Sequence, residues 1–296
     1  MTMPSLSRVA IVVLFAVTGV GTQSAPRAGA SSWWVPPLGS QPWQWELSHP
    51  LRLSNPQDMG TDDKLPDGKP ASPPVIYDID GIINPASTVA ALHAEGKHVV
   101  CYIEVGAAGN YYSAASEGVA TTYYDQLRKA NVFGNKVSGY PEYYLDIRSS
   151  ATVSIIESMI DQQCAAKGFD AVETDIDEEY GDNSGFPLKR SNQEQYMTTL
   201  ADYMHGLGLG WWIKNPDDTG SATYATDMHS LADAVLTEQC NQYSSCGFLS
   251  AYQGKKAVFN AEYHLKPSAF CANDDRLGFN GARFNLNLTG VRKPCQ

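Results

Sequence analysis

Long apolar runs are missing from this sequence. The longest, residues 9–20, spans about 12 residues, well short of the ~20 that a helix needs to cross a bilayer. It follows Arg8 and precedes Ala28-Gly29-Ala30, which gives the charged region, apolar core and small-residue cleavage site of a secretory signal. We therefore expect residues 1–30 to be a signal peptide, and the mature chain from residue 31 to be secreted and not bound to a membrane.

Metal and nucleotide motifs are also missing. The six histidines and six cysteines form no His-x-x-x-His or Cys-x-x-Cys pair, so we expect no metal site. The acidic stretch 175–179 begins like an EF-hand loop, but Tyr180 and Phe186 occupy the places where that loop needs Gly and Glu. No phosphate-binding loop, dinucleotide-binding glycine motif or Gly-x-Ser-x-Gly elbow occurs, and we expect no cofactor.

Positive charge is scarce. Lys and Arg number 21 against 32 Asp and Glu, and the formal net charge is −11. Such an acidic surface argues against nucleic acid as a partner and favours a neutral or cationic one, although solubility alone would explain it. With only 18% charged residues but 16 Tyr, 6 Trp and 9 Phe, the chain can bury a sizeable core and is not disordered.

The cysteines fit an exported protein. Six cysteines allow three disulfides, and the sequence leaves the choice among 15 pairings open. Cys240 and Cys246 are near enough in sequence to close one loop.

The order of the remaining segments predicts a parallel barrel. After residues 54–74, a polar stretch that we interpret as one long loop, short β-branched or aromatic runs alternate with Ala-rich, helix-compatible stretches. This pattern predicts one (β/α)8 TIM-type barrel domain over residues 31–296. The predicted strands are 43–45, 75–80, 98–104, 143–147, 171–175, 210–214, 234–238, 257–262 and 282–288. Because these are nine candidates for eight places, either one end strand is accessory or the count is too high.

Most of the predicted strands end in an acid. These acids are Asp78, Asp80, Glu104, Asp146, Glu173, Asp175, Glu238 and Glu262. Because strand side chains alternate, Glu173 and Asp175 share a face, as do the members of the pairs Asp78/Asp80 and Tyr102/Glu104. Since unpaired buried acids are costly, acids that converge on a barrel mouth point to a function there.

Glycoside hydrolysis uses such an arrangement. It needs one carboxylic acid to protonate the leaving oxygen and a second carboxylate as nucleophile or base. Nearby aromatic residues, Tyr77, Tyr102 and Trp212, could stack on sugar rings, although any one aromatic side chain more often belongs to the core.

At the same residues the chain resembles glycoside hydrolase family 114, the endo-α-1,4-polygalactosaminidases, some of which are described as α-galactosidases. The resemblance extends over residues 43–288 and depends on several ordered blocks. These blocks are Trp43-Gln44-Trp45-Glu46-Leu47, Tyr77-Asp78-Ile79-Asp80, Val100-Cys101-Tyr102, Leu145-Asp146-Ile147-Arg148, residues 168–175, residues 183–188, Lys214-Asn215, Glu238-Gln239-Cys240, residues 256–259 and Glu262-Tyr263.

The resemblance implies a barrel that cleaves α-1,4-linked galactosamine chains internally without a cofactor, with Asp175 and Glu238 as the catalytic pair. An unacetylated galactosamine polymer is cationic, which suits the acidic chain. As substrate-binding candidates we take Tyr77, Asp78, Asp80, Tyr102, Glu104, Asp146, Glu173, Lys214, Asn215 and Glu262. The chain departs from the family in two places: Ile176 follows Asp175 where Asn is usual, and Glu104 stands where small residues prevail.

Two other functions stay open at this point. One is an exo-acting α-galactosidase, which a closed pocket would favour over an open groove. The other is a secreted, non-catalytic carbohydrate-binding barrel, which would follow if the carboxyls of Asp175 and Glu238 were more than about 12 Å apart, too far to flank one bond. We expect a monomer whose partner is a polysaccharide.

Overall fold

The computed structural model describes residues 32–296, and the predicted signal peptide lies outside the described residues. Twelve strands occur in the described part: β1 (Trp43–Glu46), β2 (Ile76–Asp80), β3 (His98–Glu104), β4 (Ala107–Gly109), β5 (Phe133–Lys136), β6 (Glu142–Leu145), β7 (Ala171–Asp175), β8 (Gly210–Lys214), β9 (Ala234–Glu238), β10 (Ala257–Glu262), β11 (Asn280–Phe284) and β12 (Arg292–Pro294).

Nine α-helices accompany these strands within residues 32–296. They are α1 (Pro56–Met59), α2 (Ala86–Ala94), α3 (Ala114–Glu117), α4 (Tyr123–Lys129), α5 (Ser150–Met159), α6 (Arg190–Leu207), α7 (Thr223–Met228), α8 (Cys240–Tyr243) and α9 (Pro267–Leu277). No helix in this part of the chain is long and apolar enough to span a membrane.

Eight parallel strands form the predicted barrel. The order is β1-β2-β3-β7-β8-β9-β10-β11, and β12 adds to β11 in antiparallel orientation. The barrel closes where the Arg292 guanidinium of β12 donates to the Trp43 carbonyl of β1 at 2.7 Å and the Leu47 N–H donates to the Leu288 carbonyl at 3.1 Å. The predicted (β/α)8 fold is therefore confirmed.

One predicted strand lies outside the barrel. The run predicted at 143–147 is β6, which pairs antiparallel with β4 and β5 in a separate three-stranded sheet. Of the two alternatives the second holds: the count of barrel strands was too high, because the extra candidate is an internal strand and not an accessory end strand. The error arose because a short β-branched or aromatic run shows strand propensity but not which sheet the strand joins.

Side-chain alternation separates two apolar cores. The barrel interior holds a cluster that includes Trp43, Trp45, Trp212, Phe259 and Phe284, with Trp212 stacked on Phe259 at 4.3 Å between ring centroids. The opposite faces of the strands pack against the surrounding helices in a larger cluster. Because the interior cluster fills the lower barrel, polar side chains of the strand ends gather only at the upper mouth.

Loops and disulfides connect the strands and helices of the barrel. Segment 54–74, which was predicted as one loop, contains the short helix α1 and an isolated β-bridge between Lys64 and Pro70. Disulfides join Cys101 to Cys164, Cys240 to Cys246 and Cys271 to Cys295. The expected loop closure by Cys240 and Cys246 is confirmed, and it lies directly after β9.

Candidate active site

A cleft of about 330 Å³ opens at the carboxyl ends of the barrel strands. Its wall is acidic and aromatic in composition. The lining includes Trp45, Tyr102, Glu104, Tyr140, Glu142, Asp175, Glu178, Lys214, Asn215, Asp218, Glu238, Tyr243 and Tyr263. Of the sequence-predicted residues, the fold therefore brings together Tyr102, Glu104, Asp175, Lys214, Asn215 and Glu238.

Lys214 lies at the centre of this cleft. Its Nζ is 3.0 Å from Glu173 Oε1, 3.2 Å from Asp175 Oδ1 and 3.3 Å from Glu238 Oε2. The same ammonium stands 4.8 Å from the centroid of the Trp45 ring, where a cation–π attraction adds to the ion pairs. One buried cation therefore joins carboxylates from β7 and β9.

The charge of Lys214 persists at neutral pH. Burial lowers the pKa of this amine, but Asp175, Glu173 and Glu238 raise it, and the net pKa is well above the ordinary value. An ammonium held in this way links the three carboxyl groups that it contacts.

Asp175 and Glu238 are also held by neutral donors. The Tyr102 hydroxyl donates to Asp175 at 2.7 Å. The Asn215 amide donates to Glu238 Oε2 at 2.9 Å while its carbonyl oxygen accepts from the Glu238 N–H at 2.8 Å, and the Tyr263 hydroxyl also contacts the Glu238 carboxylate. Both carboxylates are thus fixed in orientation, and with 21% and 24% of their side chains exposed they remain open to a ligand.

The two carboxylates lie close together. Because one nitrogen contacts both, their nearest oxygens are no farther apart than the sum of 3.2 and 3.3 Å. That distance is far inside the ~12 Å at which two carboxylates could no longer serve one glycosidic bond. Asp175 and Glu238 can therefore act on the same sugar.

A buried acid pair lies beneath the ammonium. Glu173 and Asp78 have no exposed surface. Burial, followed by the charge of Glu173, raises the pKa of Asp78 well above its ordinary value. Burial raises the pKa of Glu173 to about 7 although Lys214 opposes the rise. The pair consequently retains a proton at neutral pH and supports Lys214 from below.

A second acid pair forms one wall of the cleft. Burial first, then the neighbouring Glu142, raises the pKa of Glu104 well above its ordinary value. Burial also raises the pKa of Glu142, which accepts a hydrogen bond from the Tyr111 hydroxyl at 2.5 Å. The departure from the family at Glu104 therefore places a buried acid with a raised pKa in the wall.

The backbone turns sharply after three of the site strands. Ile176, Asn215 and Gln239 have φ values of 56°, 44° and 58°, in the left-handed region, and each directly follows the last residue of β7, β8 or β9. Non-glycine residues adopt this conformation at a cost, which is largest for β-branched Ile. Such turns end the strands abruptly, so that Asp175, Lys214 and Glu238 stand at the edge of the cleft.

Six of the predicted substrate-binding residues do not line the cleft. Asp78 and Glu173 lie beneath it, as described, and Asp80 accepts hydrogen bonds from the Ile82 and Ile83 N–H groups and the Tyr112 hydroxyl. Asp146 follows β6 and pairs with Arg148 at 2.7 Å. The prediction placed these acids in the site because each lies at a strand end. Whether such an acid reaches the cleft also depends on how deeply it is buried and on which sheet its strand belongs to.

The alternation of side chains along a strand explains why the other two residues, Tyr77 and Glu262, do not line the cleft. Tyr77 alternates with Asp78 and faces the helices, where its hydroxyl donates to the Met59 carbonyl at 2.9 Å. Glu262 points out of the barrel and accepts from the Asn241 N–H at 2.9 Å. Trp212 faces inward but is fully buried below the cleft, so it cannot stack on a sugar.

Sequence reasoning missed several lining residues. Tyr263 contacts Glu238, and Trp45 supports Lys214, yet neither was assigned to the site. The signal for Tyr263 was present, since Ala257, Phe259 and Ala261 set an inward alternation that continues to residue 263 and not to Glu262. Tyr140, Glu142, Glu178, Asp218 and Tyr243 come from loops, whose placement no periodicity reveals.

No group of three or more His, Cys, Asp or Glu side chains among residues 32–296 is arranged to hold a metal ion. The groups that the cleft itself offers are carboxyl groups, one ammonium and hydroxyls.

Comparison with known proteins agrees with the fold and the resemblance. The model of glycoside-hydrolase family GH114 matches residues 23–296. The crystal structure of Aspergillus fumigatus Ega3 in complex with galactosamine is 23% identical, with a TM-score of 0.71, and covers 93% of this chain and 100% of its own. The glycoside hydrolase domain of PelA from Pseudomonas aeruginosa is 13% identical, with a TM-score of 0.55, over 83% of this chain and 96% of its own.

None of the curated proteins matches the sequence. At these identities the two solved structures establish similarity of fold, while the family model covers nearly the whole chain. The protein with this acidic barrel mouth therefore belongs to glycoside-hydrolase family GH114 and is a glycoside hydrolase.

Proposed function

We propose that this protein is a secreted endo-acting hydrolase that cleaves α-1,4-galactosaminidic bonds, with Asp175 and Glu238 as its catalytic pair. The observation that carries the proposal is the meeting of both carboxylates on the Lys214 ammonium in an accessible cleft. Tyr102, Glu104 and Asn215, which line the same cleft, are the proposed substrate contacts.

The short separation supports a retaining mechanism. Retaining glycosidases place their carboxyls ~5–5.5 Å apart and inverting enzymes ~6.5–9.5 Å apart. Here one oxygen of each group lies within 3.3 Å of the same nitrogen, so the sum of 3.2 and 3.3 Å is the upper limit of their separation and reaches only the lower end of the inverting range. One carboxylate bonds to the anomeric carbon while the other group protonates the departing oxygen. A water molecule then returns a proton to that second group, and the oxygen of the water displaces the first carboxylate from the anomeric carbon.

The charge around the cleft supports an amino sugar as substrate. Glu104, Glu142, Glu178 and Asp218 line the cleft with the proposed catalytic pair, and their carboxyl oxygens would accept hydrogen bonds from an ammonium group, whose charge favours the ionised forms of these acids. The similar structure of Ega3 contains galactosamine, which is such a sugar.

The shape of the surface supports cleavage within a chain. A second depression of about 500 Å³, lined by Asp182, Asp217 and Asp218 among others, shares Glu178, Asp218 and Tyr243 with the cleft. A polymer bound across both would extend beyond the reacting sugar, as an endo-acting enzyme requires. Three disulfides support an oxidising, extracellular location together with the predicted signal peptide.

The test is product release from partially deacetylated α-1,4-galactosaminogalactan by the mature protein. We expect a ladder of oligosaccharides from the wild type and a loss of about 10⁴-fold or more in Asp175→Asn and Glu238→Gln, because each removes one half of the chemistry. Asp146→Asn is the matched control, since this strand-end acid lies outside the cleft. Azide rescue of one of the two inactive variants, with a glycosyl azide as product, identifies the nucleophile.

Other outcomes distinguish the alternatives. Monosaccharide release alone, or turnover of a p-nitrophenyl α-galactoside without polymer cleavage, would replace the endo-hydrolase with an exo-acting α-galactosidase. Retention of activity in both Asp175→Asn and Glu238→Gln would refute the assigned pair.

A further inference from the structure

A cationic depression lies beside the cleft in this otherwise acidic protein. We call it the basic depression: it has a volume of about 320 Å³ and is lined by His264, Arg283 and Lys293, together with Tyr263 and Leu286, which also line the cleft. The volume falls within the range of small-ligand sites in proteins. Its charge contrasts with the net charge of −11 of the whole chain.

Arg283 is fixed in place but has no acid partner. Its Nε donates to the Tyr263 carbonyl at 3.0 Å, which orients the guanidinium and leaves its terminal nitrogens for another acceptor. Within residues 32–296 no carboxylate forms an ion pair with Arg283, Lys293 or His264, whereas the buried Lys214 and Arg292 both do. The acid opposite Arg283 in register, Glu262, is held by the Asn241 N–H instead.

Two of the cations oppose each other directly. Arg283 of β11 and Lys293 of β12 are register partners in the antiparallel pair. Like charges at directly opposite positions destabilise a sheet, so folding gains nothing from this arrangement. A bound anion would remove the repulsion and would satisfy the free guanidinium nitrogens, whose planar geometry matches a carboxylate.

We propose that the basic depression binds a carboxylate-bearing sugar of an acidic glycan next to the cleft. Its three basic residues, His264, Arg283 and Lys293, do not line the cleft, and the proposal does not depend on galactosamine as the substrate. The acidic sugar belongs either to the polymer being cleaved or to a neighbouring chain, and its carboxylate is the recognised group in both cases. The site would hold the enzyme on a glycan that its own net charge repels.

The proposal is tested by calorimetric titration of the mature protein with an oligogalacturonide. A neutral galacto-oligosaccharide of equal length and acetate serve as separate probes. We expect the oligogalacturonide alone to bind, with Arg283→Gln weakening it about tenfold or more because a charge-assisted hydrogen bond is lost. Lys293→Gln, at a residue that does not line the cleft, should weaken binding several-fold.

The matched control is Arg128→Gln, which removes an exposed arginine from the last turn of α4. It should bind the oligogalacturonide as the wild type does, and unfolding temperatures confirm that every variant is folded. Absence of oligogalacturonide binding, or equal binding by wild type and Lys293→Gln, would overturn the proposal. Equal affinity for acetate would show a simple ion site and would overturn the assignment of a glycan. None of these outcomes depends on hydrolysis, so the proposed function can fail separately.

Discussion

Two groups of strand-end acids in this protein occupy similar sequence positions but different environments. Asp175 and Glu238 face the barrel axis, share the Lys214 ammonium and keep part of their surface open. Asp80 and Glu262 end their strands in the same way, yet each is occupied by backbone N–H groups of its own neighbourhood. The first pair is free to contact a ligand, whereas the second pair fixes the conformation of the backbone after its strands.

The two groups therefore differ in the hydrogen-bond donor that each acid meets, and not in the acid itself. Backbone N–H donors satisfy a carboxylate permanently and hold a loop, while a shared side-chain ammonium holds two carboxyl groups close together with part of their surface open. The following predictions test this contrast in order of decreasing effect.

Replacing Lys214 by Met should have the largest effect. It leaves Glu173, Asp175 and Glu238 facing one another without a cation, and breaking a buried ion pair in this way costs about 3–5 kcal/mol of unfolding free energy. We expect turnover to be lost as well, measured together with urea unfolding. Lys255→Met, at an exposed site, is the control. A Lys214→Met protein with wild-type stability would contradict the central role of the ammonium.

The neighbours Glu262 and Tyr263 should respond in opposite ways. Tyr263→Phe removes the hydroxyl that contacts Glu238 and should lower kcat/KM about tenfold with little change in stability. Glu262→Gln weakens the bond to the Asn241 N–H and should cost roughly 1 kcal/mol of unfolding free energy with kcat unchanged. Urea unfolding and initial rates of both variants decide this. If Glu262→Gln lowered kcat and Tyr263→Phe did not, the inward and outward assignments would be reversed.

Stability should fall as the pH rises from about 4.5 to 8. Burial raises the pKa of Glu173 from 4.5 to about 7 and that of Asp177 from 3.8 to about 8. Between these values the folded protein holds protons that the unfolded chain has released, so each group stabilises the fold less as pH increases. We expect a decrease of several kcal/mol, with an upper limit of about 8 kcal/mol at about 1.4 kcal/mol for each titrated pKa unit, measured by urea unfolding at several pH values.

The control for this pH effect is Glu173→Gln, which removes one of the two titrations. Its stability should depend less steeply on pH than that of the wild type. A stability that rises between pH 5 and 8 would have the wrong sign and would contradict the raised pKa values of Glu173 and Asp177.

Asp146→Asn should have the smallest effect. Asp146 pairs with Arg148 at the surface, and exposed ion pairs contribute at most about 1 kcal/mol. We expect unchanged kcat and KM and a change in unfolding free energy below that limit. A large loss of activity would move Asp146 back into the group of site acids.

Much of the fold followed from local pattern. The strands predicted at 98–104, 171–175, 210–214, 234–238 and 257–262 coincide with the observed ones, because parallel strands buried on both faces give continuous apolar or β-branched runs. The strand at 143–147 was assigned to the wrong sheet, since its propensity is the same in either sheet. Its correct place depends on antiparallel pairing with β4 and β5, which the propensity of the strand itself does not reveal.

Local pattern predicted the strand residues of the candidate site but not its loop residues. Alternation and strand ends indicated Asp175, Lys214 and Glu238, and applied to β10 they would also have given Tyr263 in place of Glu262. The loop residues Tyr140 and Tyr243 had no such signal, because loops carry no period that relates sequence to direction.

By itself the sequence determined the parallel barrel, the family and the acids at the strand ends, because these depend on short-range pattern and on ordered motifs. Only the tertiary structure decided which acids meet. The convergence of Glu173, Asp175 and Glu238 on one ammonium depends on distances between residues on different strands. So does the lack of a carboxylate partner for Arg283 within residues 32–296. Barrel closure sets such distances, and no local interaction along the chain specifies them.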